Sequence, residues 1–167
     1  TQSFISNATL AAWTKSFTLN HDIVGLVNNA QIDVGQGVTL TQPVTSSWSG
    51  AAQYNKIGFG TLVLNGYNGY GNMAITQGVV QISGGNSNLG DPATNGQVLF
   101  NGGGAPNAAT LQILSTMNLG NRPFNVNNNT FGAIDVAAGQ VVTTAGTFSS
   151  GGTGAGIFKT GTGTLII

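Results

Sequence analysis

An internal repeat constrains this sequence more than any other feature. Residues 56–64 read KIGFGTLVL and residues 159–167 read KTGTGTLII, so Lys, two Gly, Thr and Leu recur with the same internal spacing 103 positions apart. Upstream, residues 32–34 recur as residues 134–136, both IDV. Closed folds rarely repeat their own sequence in this way, whereas stacked repeat proteins do. Residues 1–167 are therefore interpreted as one segment with about one and two-thirds copies of a long unit.

The apolar residues predict short strands. They alternate with polar residues over a few positions and then stop at Gly or Asn, which is typical of half-buried strands. Between the strands lie turn-forming runs, such as 84–86, 102–104 and 151–152. The chain is therefore expected to be all-β with frequent corners. Clear strand patterns occur at residues 31–34, 61–64, 79–82, 97–100, 110–113 and 133–136.

The composition excludes several classes of protein. Only 5% of the residues are charged and the net charge is zero, against about 25% charged residues in a typical soluble domain. So few charged residues suit neither a nucleic-acid-binding protein nor the solvent-exposed face of an ordinary amphipathic helix. The 40% of apolar residues are enough for a core and argue against disorder. Because the chain begins at Thr1 without Met, we expect a processed piece of a larger protein.

A stacked solenoid accounts for this composition. Each coil would bury one face of its short strands against coils about 4.8 Å away, giving an apolar interior column that needs no charge. Tight corners favour Gly and Asn, and Asn side chains at equivalent corners can hydrogen-bond along the stack, for which residues 127–129 are suited. Evenly spaced short strands would also fit a sandwich or a barrel. The long repeat favours the solenoid.

The stretch 56–84 resembles the passenger-associated transport repeat, also called the autotransporter-associated β-strand repeat. A second copy begins at residue 159 and stops at the chain end. The match departs from the family pattern at residues 71–74, in a turn, and at Val80, where the family has Leu. The residues that carry the resemblance are Lys56, Gly58, Gly60, Thr61, Leu62, Leu64, Gly66, Asn68, Tyr70, Ile75 and Gly78, then Lys159, Gly161, Gly163, Thr164 and Leu165.

The resemblance implies a fold and a role. Members of this family are secreted passengers of Gram-negative autotransporters, folded as right-handed parallel β-helices and anchored by a C-terminal outer-membrane barrel. The repeat is thought to aid export and folding of the passenger. We therefore expect a structural stalk segment of a virulence-factor or adhesin type, secreted or at the cell surface, whose partners are the barrel and the adjoining passenger rungs.

The search for catalytic chemistry yields little. Glycine pairs at 58–60 and 161–163 lack the further residues of a phosphate loop, and residues 84–89 lack the Gly and Asp of a calcium nonapeptide. The acids are Asp22, Asp33, Asp91 and Asp135, and the single histidine is His21. We expect Asp33 and Asp135 to be outward strand residues of the repeat and His21 to lie in a surface turn. No catalytic, cofactor or metal site is predicted, and a polysaccharide-lyase-like enzyme is a distant alternative.

A stretch rich in Tyr and Asn provides the main alternative function. Tyr67 and Tyr70 lie among Asn65, Asn68 and Asn72, and aromatic rings beside amides are a composition that suits sugar ligands. Tyr70 belongs to the repeat pattern and is expected to pack at a corner, whereas Tyr67 does not. The alternative is therefore an adhesive module that contacts a host-cell or glycan ligand through Tyr67 and Tyr70.

Overall fold

The structure is a computed structural model that describes residues 2–4, 9–25, 29–50, 52–94, 96–103 and 109–167. It is all-β, with 49% strand and 5% helix, and its parallel strands stack into a solenoid of about six turns. The prediction of an all-β parallel β-helix is therefore confirmed.

The strands form four parallel sheets, and two short 3₁₀ helices lie among them. Sheet A contains β1 Gln2–Phe4, β4 Ile23–Gly25, β7 Trp48–Ser49 and β10 Asn68–Gly69. Sheet B contains β2 Thr9–Ala12, β5 Ala30–Val34, β8 Gln53–Ile57, β11 Asn72–Ile75, β13 Val98–Phe100, β16 Phe124–Val126 and β19 Phe148–Ser150. Sheet C contains β3 Phe17–Thr18, β6 Thr39–Gln42, β9 Thr61–Leu64, β12 Gly78–Ile82, β14 Ala109–Ile113, β17 Phe131–Val136 and β20 Gly156–Thr160. Sheet D contains β15 Met117–Asn118, β18 Val141–Thr143 and β21 Thr164–Ile166, and the helices are η1 Asn86–Leu89 and η2 Pro92–Thr94.

One coil visits three faces in a fixed order. In the first four coils the chain runs through sheet A, then sheet B, then sheet C. In the fifth coil η1 and η2 stand where the sheet A strand would be, and η1 packs against β10. After this interruption the strands of sheet D follow sheet C and precede sheet B, so sheet D continues the face that sheet A began.

The alternating pattern of the sequence sets the inside and outside of the coils. In β9 the side chains of Leu62 and Leu64 are fully buried, while the alternate residues Thr61 and Val63 lie half-buried on the outer face. Leu62 is in register with Leu40 in the coil before and Val80 in the coil after, both of them buried too. Each such side chain contributes about 1.5 to 3 kcal/mol on burial.

Amides form ladders on the outer faces, as the sequence suggested for Asn. Asn125 bonds to Gln97 in the coil before and accepts a hydrogen bond from Ser149 in the coil after. At a corner, Asn127 donates to the side chain of Asn101 in the preceding coil. These bonds join coils that also share backbone ladders, so they add specificity of register to an interface made by the strands.

The long sequence unit is not a whole number of coils. Lys56 lies in β8 of sheet B and pairs with Ile32, while its counterpart Lys159 lies in β20 of sheet C and pairs with Ile134. The displacement of about 102 residues thus corresponds to four coils and one further face. The two copies of the motif form the same kind of corner on different edges of the solenoid.

Candidate functional site

The motif lysine of the first copy is a buried corner residue. The Lys56 side chain is fully buried, and its Nζ donates to the carbonyl oxygens of Ile57 at 2.8 Å, Gly58 at 2.6 Å and Gln77 at 3.1 Å. Gln77 belongs to the next coil, so the ammonium joins two coils. Burial lowers the pKa of Lys56 from 10.5 to about 8, although nearby Asp33 pulls it upward.

The motif glycines stand where successive coils approach most closely. Gly58 has a φ of 72°, and a Cβ there would collide with the carboxylate of Asp33. A Cβ on Gly60 would overlap the carbonyl oxygen of Gly35 in the coil before. Gly78, with a φ of 70°, approaches Gly58 in the same way, with 2.6 Å from a Cβ to its carbonyl oxygen. Only glycine fits these positions without moving backbone.

The second motif copy repeats this geometry at the corner between sheets C and D. Lys159 Nζ donates to the carbonyl oxygens of Thr160 at 2.6 Å and Gly161 at 3.0 Å. Gly161 has a φ of 69° and abuts the Asp135 carboxylate, as Gly58 abuts Asp33. Lys159 is exposed and has two carbonyl partners where Lys56 has three. The two corners therefore make a matched pair that differs in burial.

The remaining strand residues of the motif serve the core. Leu62 and Leu64 are buried, whereas in the second copy Leu165 is half-buried and Thr164 is exposed. The backbone N–H groups of Thr61 and Thr164 donate to the preceding coil at 2.9 and 2.8 Å, so both copies enter their strand in the same register. These residues position the corner and present no chemistry of their own.

Asn68 belongs to a buried amide ladder that runs along the stack. Its side chain exchanges two hydrogen bonds with Gln42, at 2.7 and 3.1 Å, and its Nδ2 donates to the carbonyl oxygen of Asn88 at 2.7 Å. Asn88 in turn donates to the carbonyl oxygen of Gly66 at 2.8 Å. All three amide side chains are 2% exposed or less. The ladder gives Asn68 a structural role, since its side chain joins neighbouring coils.

The two tyrosines of the Tyr/Asn-rich stretch have opposite environments. Tyr70 is 1% exposed, its hydroxyl donates to the carbonyl oxygen of Asn88 at 3.1 Å, and burial raises its pKa above the ordinary value. It packs at a corner as expected, and its burial removes it from the candidate ligand contacts. Tyr67 is 55% exposed and remains a candidate. The side chain of nearby Asn65 accepts a hydrogen bond from Ser83 at 2.9 Å.

A buried arginine was not anticipated from the sequence. Arg122 is fully buried, and its guanidinium donates to the side chain and carbonyl oxygen of Asn86 and to the carbonyl oxygens of Leu89, Gly90 and Gly96. All five N–H donors are used. Burial lowers the pKa of Arg122, and the charges of Tyr70 and Asp91 act in the opposite direction. The hydrogen bonds of Arg122 join the segment that contains η1 and η2 to the following coil. The one indication in the sequence is that Arg122 is the single arginine of the chain.

The acidic side chains have separate structural partners. Asp33 and Asp135 lie on different sheets, about four coils or about 19 Å apart along the stack, as outward residues of equivalent corners. His21 is exposed, as predicted. No group of three or more potential metal ligands occurs in the part of the chain that the structure describes. The acids are bonded as follows: Asp22 to Ser47 N, Asp33 to Trp13 Nε1, Asp91 to Ala93 N and Asp135 to Gln112 Nε2.

Comparison with known proteins relates the chain to an adhesin. It is 32% identical over 160 residues to the "Adhesin BmaC autotransporter" of Brucella suis biovar 1 (strain 1330), an alignment that covers 91% of this chain and 4% of that protein. No family model matches the chain, and no solved structure matches it. The transport-repeat assignment accordingly stays a prediction. Within the described residues, no helix is long and apolar enough to cross a bilayer.

Proposed function

We propose that this segment is a non-catalytic β-helical stalk of a secreted or surface-displayed Gram-negative autotransporter passenger of the adhesin type. In this role its motif corner aids folding of the passenger during export across the periplasm and outer membrane. The similarity to the Brucella adhesin and the stacked parallel coils support the class. Its partners are then the adjoining passenger rungs and the C-terminal barrel of the same protein.

The single observation that carries the proposed role of the motif is the bond from Lys56 to the next coil. Two of its carbonyl partners belong to its own corner, and the third, on Gln77, arrives only when the following coil stacks in register. A buried ammonium without enough acceptors is costly, so the corner favours the arrival of that coil. In a chain that folds coil by coil as it leaves the membrane, each such corner stabilises the correct register of the next coil.

Replacing the bridging lysine tests the corner directly. We expect Lys56→Met to lower the free energy of unfolding by about 2 to 4 kcal/mol, because it leaves three corner carbonyls without their donor. Lys159→Met is the matched control, since that lysine is exposed and caps a single coil; its effect should stay within about 0.5 kcal/mol. Urea unfolding followed by circular dichroism measures both.

The export role is separable from stability in a display assay. The chain is fused ahead of an autotransporter barrel, and antibody labelling of intact cells compares Lys56→Met with Lys159→Met. We expect Lys56→Met to lower the displayed fraction at equal synthesis. Equal display of the two variants, with the stability difference intact, would reject the role in export and keep the structural role of the corner.

The exposure of Tyr67 favours a second candidate, an adhesive glycan-binding surface. Its ring is open to solvent two residues along the chain from Asn65, whose Oδ1 accepts a hydrogen bond from Ser83. We propose that sugar hydroxyls bond to the amide while the ring stacks on the sugar. The test is glycan-array binding of the intact chain against Tyr67→Ala, with Val44→Ala, at an exposed residue, as control. The absence of any signal that depends on Tyr67 would remove this candidate.

A further inference from the structure

One corner of the solenoid carries the sequence pattern of an acceptor for N-linked sugars. Asn128, Asn129 and Thr130 form the tripeptide Asn-x-Thr, which is the acceptor signal for N-glycosylation in exported proteins. The other such tripeptide of the sequence, at residues 7–9, begins outside the described part of the chain. An Asn-rich chain contains such tripeptides by chance, so a site also needs an exposed acceptor with room for a sugar.

Asn128 is the first of the two central residues of a β-turn between β16 and β17. The backbone N–H of Thr130 donates to the carbonyl oxygen of Asn127 at 3.2 Å and closes the turn, in which Asn129 has a φ of 55°. Asn127 and Asn128 are both exposed. The amide of Asn127 donates to Asn101 in the coil before, whereas the Asn128 side chain has no hydrogen-bond partner among the described residues. The Asn128 amide is therefore open to solvent and takes no part in the amide ladder beside it.

The corner of the following coil leaves room for a substituent on Asn128. This corner consists of Gly151, Gly152, Thr153 and Gly154, and all four residues are exposed. A Cβ on Gly152 would come within 2.7 Å of Asn128 Oδ1, so the amide lies against a position that has no side chain. A sugar on Asn128 therefore faces a corner whose one side chain is that of Thr153, and it leaves the apolar core undisturbed.

The Thr130 hydroxyl sets the time at which a sugar can be added. The acceptor pattern requires a hydroxyl at its third position. In the folded corner the Thr130 hydroxyl is half-buried, and it lies 2.8 Å from the carbonyl oxygen of Asn127 and 3.3 Å from that of Phe100 in the coil before. A transferase can reach this hydroxyl only before the coil has stacked. The modification must therefore precede folding of this corner.

We propose that Asn128 is an N-glycosylation site, whose sugar is added to the unfolded chain and then lies on the outside of the folded solenoid. The donor is a sugar activated by a phosphate at its anomeric carbon. Asn128 Nδ2 forms a bond to that carbon, the bond from the carbon to the phosphate oxygen breaks, and the phosphate leaves with the electron pair. One amide proton passes to a base of the transferase. The proposal goes beyond the stalk role and does not depend on Tyr67.

Mass spectrometry of the intact protein from the cells that make it tests the site. The peptide that contains Asn128 should carry a sugar on Asn128, while Asn129 stays unmodified. Asn129 is the matched control, because it is exposed in the same turn but is followed at the third position by Phe131, which has no hydroxyl. Asn128 without sugar in every copy would overturn the proposal, and so would equal modification of Asn129.

A reconstituted reaction tests the order of events. The full chain carries Asn7→Gln, so that Asn128 is its one acceptor, and an N-glycosyltransferase with UDP-glucose is supplied either during synthesis or after folding. We expect modification during synthesis and about tenfold slower modification of the folded chain, because the corner must first open. Equal rates would overturn the proposed order. A second arm with a membrane oligosaccharyltransferase and a lipid-linked oligosaccharide tells the two sources of sugar apart, and no sugar from either would overturn the site.

Variants and the modified chain itself separate the acceptor from the fold. Asn128→Gln should abolish the modification, while Thr130→Ser should keep it, because serine supplies the same hydroxyl. Sugar retained in Asn128→Gln would overturn the assignment. The glycosylated chain should have the same β-signal in circular dichroism as the unmodified chain, since the sugar stays outside the core. Loss of the β-signal on glycosylation would contradict an outward site.

Discussion

Two buried cations hold neighbouring coils together without contacting a carboxylate. Lys56 and Arg122 donate to backbone carbonyl oxygens and, for Arg122, to one amide side chain. Corners expose carbonyl groups that the strand ladders cannot pair, and a long side chain with several N–H donors satisfies several of them at once. In this chain, where few residues are charged, the two cations serve mainly as hydrogen-bond donors and not as partners in ion pairs.

The lowered pKa of Lys56 gives the fold a pH dependence. Between pH 8 and 10.5 the unfolded chain binds a proton that the folded chain has lost, so stability rises with pH in this window. The gain should be about 2 kcal/mol between pH 8 and about pH 10. Above pH 10 the raised pKa of Tyr70 reverses the trend, because the unfolded tyrosine ionises and the folded one does not.

Urea unfolding across this pH range checks the prediction, with Lys56→Met as the control. The variant lacks the titrating amine and should show no rise from pH 8 to about pH 10. A rise of equal size in the variant would assign the effect to another group.

At the scale of the element, the corner is defined by contact between backbones. Gly60 and Gly35 meet with no space for a Cβ, and Gly60 N donates to the carbonyl oxygen of Val34 at 2.8 Å. The close approach of the two backbones and the hydrogen bond between them both require glycine, because a larger residue would force the coils apart. The glycines of the motif are therefore positions of coil-to-coil contact.

Alanine at such a corner should therefore be costly. Gly60→Ala forces the backbone of two coils apart, and we expect a loss of about 2 to 4 kcal/mol in the free energy of unfolding. Gly69→Ala is the matched control from the same neighbourhood, because a Cβ there meets its nearest atom at 3.5 Å, an ordinary contact. Thermal unfolding by circular dichroism compares the two. Equal midpoints would contradict a steric role for Gly60.

The strands could be predicted from sequence, and the interruption of one face could not. Alternation over a few residues marks β9 and β12 because one side of each strand must be apolar. The sequence predicts a turn at residues 84–86, and nothing local shows that η1 replaces a strand after it. The segment is held by Arg122 in the following coil, whose guanidinium donates to the carbonyl oxygens of Leu89 and Gly90. The burial of Lys56 could not be predicted for the same reason, because its third hydrogen-bond acceptor, the carbonyl oxygen of Gln77, lies in another coil.

At the scale of the whole molecule, each coil relies on its two neighbours. Leu62 lies between Leu40 and Val80, whereas Leu165 in β21 has one strand partner, Val142, among the residues that the structure describes. Stability in such a stack is a sum of coil and interface contributions, so the position of a defect decides its cost.

A charge in the middle of the stack should cost more than one at its end. Leu62→Asp buries a carboxylate at several kcal/mol, enough to unfold a marginal domain, while Leu165→Asp, at a half-buried site, should leave most of the β-signal. Circular dichroism and limited proteolysis separate the two outcomes. Comparable folded fractions for both variants would show that the stack does not transmit the defect.

The offset between sequence unit and coil has a geometric consequence. Because one unit advances four coils and one face, the lysine corner of each copy is turned by about a third of a revolution from the last. A surface patch that recurs in each unit would therefore occupy successive angular positions around the solenoid axis. A solenoid built from such units presents these patches on every side, so a binding partner can approach from any direction and meet one.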